Sequence, residues 1–218
     1  MDGRRTPDLG AHLMRVLRTP LQIIRADLRA YLALTAMAYG LLLLGMALGL
    51  LFPDLNAALT GSMGASGETD LVVSLLAQPW LFAATIFAVN IARIALASIL
   101  LPSLIVPFLG IAVFAYFAVE TGITLAPVNH AAAMTLIPHS LTIVIEYQAY
   151  VLLLLGAFLL GRSWLRPATV EAPTHRRGYV RGLQLIGRLA LPALALFVVG
   201  AVYEAFSLRY LTPLLVVG

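Results

Sequence analysis

Apolar stretches of about 20 residues, separated by short polar segments, dominate the pattern of this chain after residue 30. A helix of about 20 apolar residues is long enough to cross the hydrocarbon core of a bilayer. The pattern therefore predicts an all-α, polytopic membrane protein whose single membrane domain covers residues 31–218. Its five transmembrane helices are predicted at about 31–52, 81–100, 104–125, 140–161 and 184–206.

The stretch over 81–126 is predicted to hold two of these spans, because it is too long for one. Only Arg93 and Glu120 carry a charge within it. As a single helix it would extend about 70 Å at 1.5 Å per residue, whereas the hydrocarbon core is about 30 Å thick. Pro102 and Pro107 mark the predicted turn, because proline disfavours a helix interior.

Residues 1–30 form a separate, arginine-rich N-terminal region. Apolar residues recur at helical spacing over 7–18, and the arginines lie off that face. This pattern predicts a short amphipathic helix in the headgroup layer of the membrane. Thr19 and Pro20 then suit a helix cap and a first turn, so a new helix is predicted to begin there and to run into the first span.

The connections between the spans differ in length. The first, over 53–80, is predicted to be a long loop, and its part 60–68 has the glycine and serine content of a mobile linker. A short interfacial helix is predicted within it over 71–77. Shorter, proline-containing connections are predicted at 127–138 and 166–180.

Gly45 and Gly49 form a GxxxG pattern within the first predicted span. Small residues at this spacing let the backbones of two helices approach closely. The partner helix belongs either to the same chain, which we favour, or to a second copy of the chain in a homo-oligomer.

The composition agrees with a membrane protein. The chain has 218 residues, of which 61% are hydrophobic and 11% charged, whereas a soluble domain carries about 25% charged residues. It contains no cysteine, which excludes disulfides and thiol chemistry. Arginine is used throughout in place of lysine, which indicates a GC-rich bacterial source.

Two arginine clusters determine the predicted orientation. One lies over 4–29 and the other over 162–188, and basic residues beside spans are retained on the cytoplasmic side. Four predicted spans separate the clusters, so both fall on one side. The N-terminus is therefore predicted in the cytoplasm and the C-terminus outside, in the cytoplasmic (inner) membrane of a bacterium. The arginines expected to contact membrane lipids are Arg15, Arg18, Arg25, Arg29, Arg162, Arg166, Arg176 and Arg177.

The residues present disfavour several classes of function. The net charge of +4 comes from arginines that flank apolar stretches, and no aromatic-basic platform for nucleic acid accompanies them. Without cysteine and with scattered histidines, a metal site is not expected, and nothing indicates a cofactor. The sequence lacks the short patterns of zinc proteases, serine hydrolases, P-loop proteins and dinucleotide-binding proteins, so we do not expect an enzyme.

Polar side chains inside the predicted spans are the candidate site. An ionisable group at bilayer depth is costly, and by default it marks a functional site or a paired contact. The predicted topology puts the acids of this group in the outer half of the bundle. The candidate residues are Asn90, Arg93, Glu120, His139, Glu146 and Glu204.

Three interpretations of these residues remain open. The favoured one is an ion pair between Arg93 and a glutamate, with Asn90 completing the hydrogen bonds. Because three acids and one arginine occupy the outer half of the predicted bundle, at least one acid is left over. The surplus carboxylates fit either a cation or proton pathway, or the docking of a charged group from a partner protein.

The order of these polar positions resembles that of a known family. The positions that carry the resemblance are the run Phe87–Arg93, Gly110, Gly122, Ile137–His139 and Ala201–Phe206. They are similar to the SpoIIM family (stage II sporulation protein M). Asn90, His139 and Glu204 fall on polar positions of the family. Ser140 replaces a family glycine, and Glu146 lies about one turn after the family glutamate.

The resemblance covers roughly residues 80–212. It implies a five-span fold and a non-enzymatic scaffold, since members of the family recruit peptidoglycan-remodelling enzymes at the membrane. We carry over the fold and the scaffold class, and leave sporulation aside. The hypothesis is a membrane subunit that docks other membrane or envelope proteins. The alternative is a small cation or proton transporter that uses the intramembrane carboxylates.

Overall fold

The computed structural model of the chain describes residues 9–65 and 67–216. Over these ranges the chain is all-α and forms eight helices. In chain order they are α1 (Leu9–Ala26), α2 (Leu28–Leu51), α3 (Pro53–Ala65), α4 (Glu68–Leu75), α5 (Pro79–Ile105), α6 (Leu109–Thr124), α7 (His130–Leu165) and α8 (His175–Leu215).

Two of these helices change pitch along their length. α5 has regular turns over Pro79–Val89, a π-helical stretch over Asn90–Leu100 and a last regular turn over Leu101–Ile105. α8 contains a second π-helical stretch, Ser207–Leu211. Wide π-helical turns are rare and are found frequently at functional sites. The first stretch begins at Asn90, one of the candidate residues.

Four helices, α2, α5, α7 and α8, are long and apolar enough to cross a membrane. α6 is apolar but has only 16 residues. The prediction of an all-α protein with several membrane-length helices is therefore confirmed. The upper end of the bundle is defined here by Pro79, Thr124 and His130, and the lower end by Leu165 and His175.

α7 is the central helix of the bundle. Nearly every residue from Tyr147 to Leu160 is buried, and α7 packs against α2, α5 and α8. Apolar burial along this helix supplies the largest hydrophobic cluster of the structure. The neighbouring helices are therefore positioned by how they pack on α7.

α7 and α8 both begin earlier than predicted. α7 starts at His130 because Oδ1 of Asn129 accepts the N–H of Ala132 at 2.9 Å. α8 starts at His175, where the Thr174 hydroxyl accepts a backbone N–H. Such caps satisfy N–H groups that lack partners in the first turn. The predicted spans, 140–161 and 184–206, are the apolar parts of longer helices, and much of each predicted connection is helical.

α1 continues through the predicted helix start at Thr19. Pro20 lies inside α1, and the chain breaks instead at Asp27, whose φ of −119° and ψ of 36° are not helical. Pro20 and Ile23 are buried, so packing of α1 against α2 and α8 holds the helix across the proline. The predicted amphipathic helix over 7–18 falls in α1, except for its first two residues, which lie outside the described residues.

The segment predicted to be a long loop is mostly helical where the structure describes it. It forms α3 and α4, which are separated near Gly67, whose φ is +77°. Asn56 attaches α3 to α6, because its Nδ2 donates to the carbonyl oxygen of Ile123 at 2.6 Å. Carbonyl groups in the last turn of a helix lack partners within that helix. The side chain of Asn56 therefore completes the upper end of α6.

α5 and α6 form a tight hairpin whose turn lies later than predicted. The helix runs through Pro102, and the chain turns at Phe108, whose φ is +67°. The backbone N–H of Gly110 donates to Oγ of Ser103 at 3.1 Å. A Cβ atom on Gly110 would collide with the carbonyl oxygen of Ile99. Glycine at position 110 therefore allows the two helices to meet immediately after the turn.

α2 and α6 lie side by side and run in the same direction. A Cβ on Gly45 would lie 2.9 Å from Cα of Gly122, and a Cβ on Gly49 would meet Ile123 and Ala126. The GxxxG pattern is thus used for packing within one chain. This agrees with the favoured alternative, since α6 of the same chain covers the face of Gly45 and Gly49. The homo-oligomer stays a prediction.

Candidate functional site

Two side-chain hydrogen bonds connect α5 to α7 through Asn90, Glu146 and Tyr150. Nδ2 of Asn90 donates to Oε1 of Glu146 at 2.5 Å, and the Tyr150 hydroxyl donates to Oδ1 of Asn90 at 3.1 Å. Asn90 is 8% exposed and Tyr150 is 2% exposed. A buried polar group without a partner costs about 1–3 kcal/mol. Each of these groups therefore depends on its protein partner.

The backbone brings the three side chains together. Glu146 and Tyr150 are four residues apart on α7, so they lie on one face of that helix. Gly200 of α8 packs directly against the glutamate, since a Cβ there would lie 2.9 Å from Cγ of Glu146. A glycine at position 200 therefore leaves room for a carboxylate side chain between α7 and α8.

His139 and Glu204 make a second polar contact, nearer the upper end. Nδ1 of His139 lies 3.6 Å from Oε1 of Glu204, and the two side chains are 20% and 16% exposed. At this distance the contact is electrostatic, because 3.6 Å is too long for a hydrogen bond. Beside it, the Tyr203 hydroxyl donates to the carbonyl oxygen of Pro138 at 3.2 Å. These contacts connect the upper parts of α7 and α8.

The two groups of contacts belong to one polar strip on α7, formed by His139, Thr142, Glu146 and Tyr150. The strip is about 17 Å long at 1.5 Å per residue. Oγ1 of Thr142 is buried and has no hydrogen-bond partner among the described residues. Below Tyr150 the strip ends, because residues 151–160 of α7 are apolar or glycine and nearly all are buried.

A cleft of about 250 Å³, the upper cleft, opens beside the polar strip at the upper end of the bundle. His139 belongs both to its lining and to the strip. Other lining residues are Thr124, Thr135, Leu136 and Leu208, from α6, α7 and the π-helical stretch of α8. The strip therefore has an opening toward the upper surface and is closed toward the lower end.

A hydrogen-bonded group that sequence reasoning missed connects α2 to α7. The Tyr31 hydroxyl donates to Oε1 of Gln148 at 2.9 Å. Nε2 of Gln148 donates to the Tyr39 hydroxyl at 3.3 Å, which donates to the carbonyl oxygen of Val144 at 3.1 Å. Gln148, a polar residue inside an apolar span, is the sequence signal that could have indicated this group.

Arg93 and Glu120 are not among the residues of the contacts just described. Arg93 is exposed on α5, three residues after Asn90, and Glu120 is partly buried on α6. The described contact of Glu146 is with Asn90, and that of Glu204 is with His139. The ion pair between Arg93 and a glutamate stays a prediction.

The arginines proposed to contact lipid lie near the lower end of the bundle. Six of them are exposed: Arg18, Arg25, Arg29, Arg166, Arg176 and Arg177. Arg162 is partly buried, and its Nη1 donates to Oδ1 of Asp27 at 2.5 Å. The side chain of Arg15 lies outside the described residues.

Comparison of the chain with protein families, with curated protein sequences and with solved structures found no match. The geometry of the polar strip, the upper cleft and the arginines is therefore the basis for assigning a function. In the part of the chain that the structure describes, no group of three or more acidic or histidine side chains is arranged to hold a metal ion.

Proposed function

We propose that the chain is a non-enzymatic, five-span membrane subunit of SpoIIM type, which docks partner proteins through the upper end of its bundle. The observation that carries the proposal is the form of the polar strip. It is open to the upper cleft at His139 and closed by buried apolar residues below Tyr150. A polar recess that is open on one side suits the docking of a partner segment better than the passage of a solute.

The five-span topology is supported by the direction of α6. α6 runs parallel to α2, since successive residues of one helix meet successive residues of the other. Its 16 residues extend about 24 Å at 1.5 Å per residue, somewhat less than a hydrocarbon core of about 30 Å. The side chain of Asn56 supplies hydrogen-bond donors at its upper end, so α6 can end below the membrane surface.

The orientation follows from the arginines at the lower end. Basic residues beside spans mark the cytoplasmic side, so the lower end faces the cytoplasm of a bacterium and the upper end faces outward. We expect a cysteine in place of exposed Gly61, near the upper end, to react with a membrane-impermeant maleimide in intact cells. A cysteine at exposed Ala168, near the lower end, reacts only after lysis. The chain has no native cysteine to interfere, and the reverse labelling pattern would contradict the orientation.

Docking at the upper cleft is supported by its chemistry. Apolar Leu136 and Leu208 form part of the wall, and the His139–Glu204 contact lies beside it. A cleft of about 250 Å³ is smaller than the usual range for a small-molecule site, about 300–1,000 Å³. It is large enough for one or two side chains of a protein segment, which carries the rest of its binding surface outside the cleft.

A photo-crosslinking amino acid placed at Thr135, in the upper cleft, tests the docking proposal. We expect irradiation of intact cells to give one discrete adduct of this chain with a different protein. The matched control is the same amino acid at Leu51, which is 71% exposed at the upper end of α2 and lies outside the cleft. It is expected to give lipid adducts only.

The transporter alternative requires a polar strip that is open at both ends of the bundle. It requires a path from the polar strip to the lower end, through the buried residues 151–160 of α7. Proteoliposomes that carry a cation or proton flux, lost in Glu146→Gln, would favour the transporter. That result, together with equal crosslinking at Thr135 and Leu51, would overturn the docking proposal.

A further inference from the structure

A second cleft, the lower cleft, lies between the junction of α1 with α2 and the lower part of α7. Its volume is about 770 Å³. Asp27 forms the junction, and its carboxylate accepts a hydrogen bond from Arg162. Arg25 and Arg29, on either side of Asp27, also line the cleft. Parts of the chain 135 residues apart in sequence therefore supply one group of charged side chains.

The charges in the lower cleft do not cancel. Three arginines and one aspartate line it, which leaves a surplus of two positive charges. Asp27 engages Nη1 of Arg162, but Nε of Arg162 is buried with no hydrogen-bond partner among the described residues. A buried N–H group without an acceptor is costly. Arg25 and Arg29 are exposed, so their guanidinium groups are free to turn toward an anion in the cleft.

The apolar part of the lower cleft lies deeper in the bundle than its arginines. Leu34 is five residues beyond Arg29 on α2, about 7.5 Å further from the lower end at 1.5 Å per residue. Phe158 is one turn deeper than Arg162 on α7. The guanidinium carbon of Arg162 lies 5.6 Å from the centre of the Phe158 ring. Going from the lower end toward the middle of the bundle, a ligand therefore meets cations first and apolar side chains next.

We propose that the lower cleft binds one anionic phospholipid of the adjacent leaflet. Its phosphate lies among Arg25, Arg29 and Arg162, and an acyl chain runs along Leu34 and Phe158. Basic pockets between membrane helices bind anionic headgroups in this way. Free phosphate satisfies the arginines but gains nothing from the apolar wall, so the geometry favours the lipid. This site is at the opposite end of the bundle from the proposed protein docking and does not depend on it.

Native mass spectrometry of the full chain in a mild detergent tests the site. The chain is titrated with phosphatidylglycerol and with phosphatidylcholine of identical acyl chains. We expect one molecule of phosphatidylglycerol to bind per chain, with a lower dissociation constant than phosphatidylcholine. The double variant Arg25→Gln/Arg29→Gln is expected to weaken phosphatidylglycerol binding about 25-fold, from about fivefold for each arginine near a membrane surface. Its binding of phosphatidylcholine is unchanged.

The matched control is Arg181→Gln/Arg188→Gln, which removes the same charge from exposed arginines that lie outside the lower cleft and are not among those expected to contact lipid. It is expected to keep the preference for phosphatidylglycerol. Equal losses in the two double variants, or no preference in the unmodified chain, would overturn the proposal. Competition with inorganic phosphate separates the two sources of the anion. Displacement of the lipid by millimolar phosphate would show a free-phosphate site and overturn the lipid assignment, whereas retention supports it.

Discussion

The substitution Gly122→Ala is expected to lower the free energy of unfolding by about 3 kcal/mol, the upper part of the usual range for overpacked sites. The new Cβ would collide with the carbonyl oxygen of Leu42 and lie 2.9 Å from Cα of Gly45 and from the backbone nitrogen of Met46. All three are backbone atoms, so no side chain can turn aside to make room. α2 and α6 must separate, and the burial between them is lost along their length.

The measurement is unfolding of the purified chain in mixed micelles by increasing fractions of SDS, followed by circular dichroism. The matched control is Gly40→Ala on α2, because a Cβ built on Gly40 has no heavy atom within 4 Å among the described residues, apart from its chain neighbours and the adjacent backbone of α2. Alanine is favoured over glycine in a helix by about 1 kcal/mol, so the control is expected to be neutral or slightly stabilising. Equal unfolding midpoints for the two variants would show that α2 and α6 do not pack as described.

The contact between α2 and α6 shows why the sequence predicts where the spans lie better than it predicts which spans pack together. The length of an apolar stretch is a local property, and it predicted membrane-length helices from one sequence. Close approach through Gly45 was also predicted, since small residues allow it. The sequence did not identify the partner helix, because the chain has 17 glycines and nothing local marks Gly122 as the one that packs against Gly45. The packed structure shows that α6 of the same chain lies against Gly45 and Gly49.

Helix ends were predicted poorly because polar caps and prolines compete with tertiary packing. The cap at Asn129 starts α7 about ten residues before the predicted apolar span at 140. Apolar periodicity does not reveal such a cap. Pro102 was expected to break α5, yet the turn lies at Phe108. The backbone N–H of Gly110 donates to Ser103, and Gly110 packs closely against the backbone of Ile99. Both contacts favour a turn at Phe108. These contacts within the hairpin outweigh the local preference of a proline.

The sequence named the polar residues of the candidate site but did not determine all of their contacts. Asn90 and Glu146 were found because they are polar within apolar spans. The sequence suggested an ion pair between Arg93 and a glutamate, with Asn90 completing its hydrogen bonds. The structure describes the contact of Asn90 with Glu146, and the ion pair stays a prediction. An amide both donates and accepts, so Asn90 also takes the hydroxyl of Tyr150. The sequence did not indicate a role for Tyr150, because the burial of its hydroxyl is seen only in the structure.

The substitution Asn90→Leu is expected to destabilise the bundle by about 2–4 kcal/mol, because it leaves one buried and one partly buried group without their described partners. Tyr150, 2% exposed, loses its acceptor, and Glu146 loses its described donor. Leucine is close to asparagine in shape, so the loss reports hydrogen bonding more than volume. The matched control is Thr85→Val on the same helix, whose hydroxyl donates only to Leu81 one turn earlier. It is expected to change the free energy of unfolding by less than about 0.5 kcal/mol.

A double-mutant cycle with Tyr150→Phe separates the hydrogen bond from general damage to the packing. In the unmodified chain, Tyr150→Phe removes the described donor to Oδ1 of Asn90 and is expected to be destabilising. In the Asn90→Leu background the hydroxyl has no acceptor, so its removal is expected to be neutral or stabilising. Couplings between membrane helices average about 0.6 kcal/mol and reach about 1.7. Because both side chains are buried, we expect a coupling of about 1 kcal/mol, measured by SDS unfolding. Strictly additive effects would mean that Asn90 and Tyr150 act independently, and that the polar strip is not a connected group.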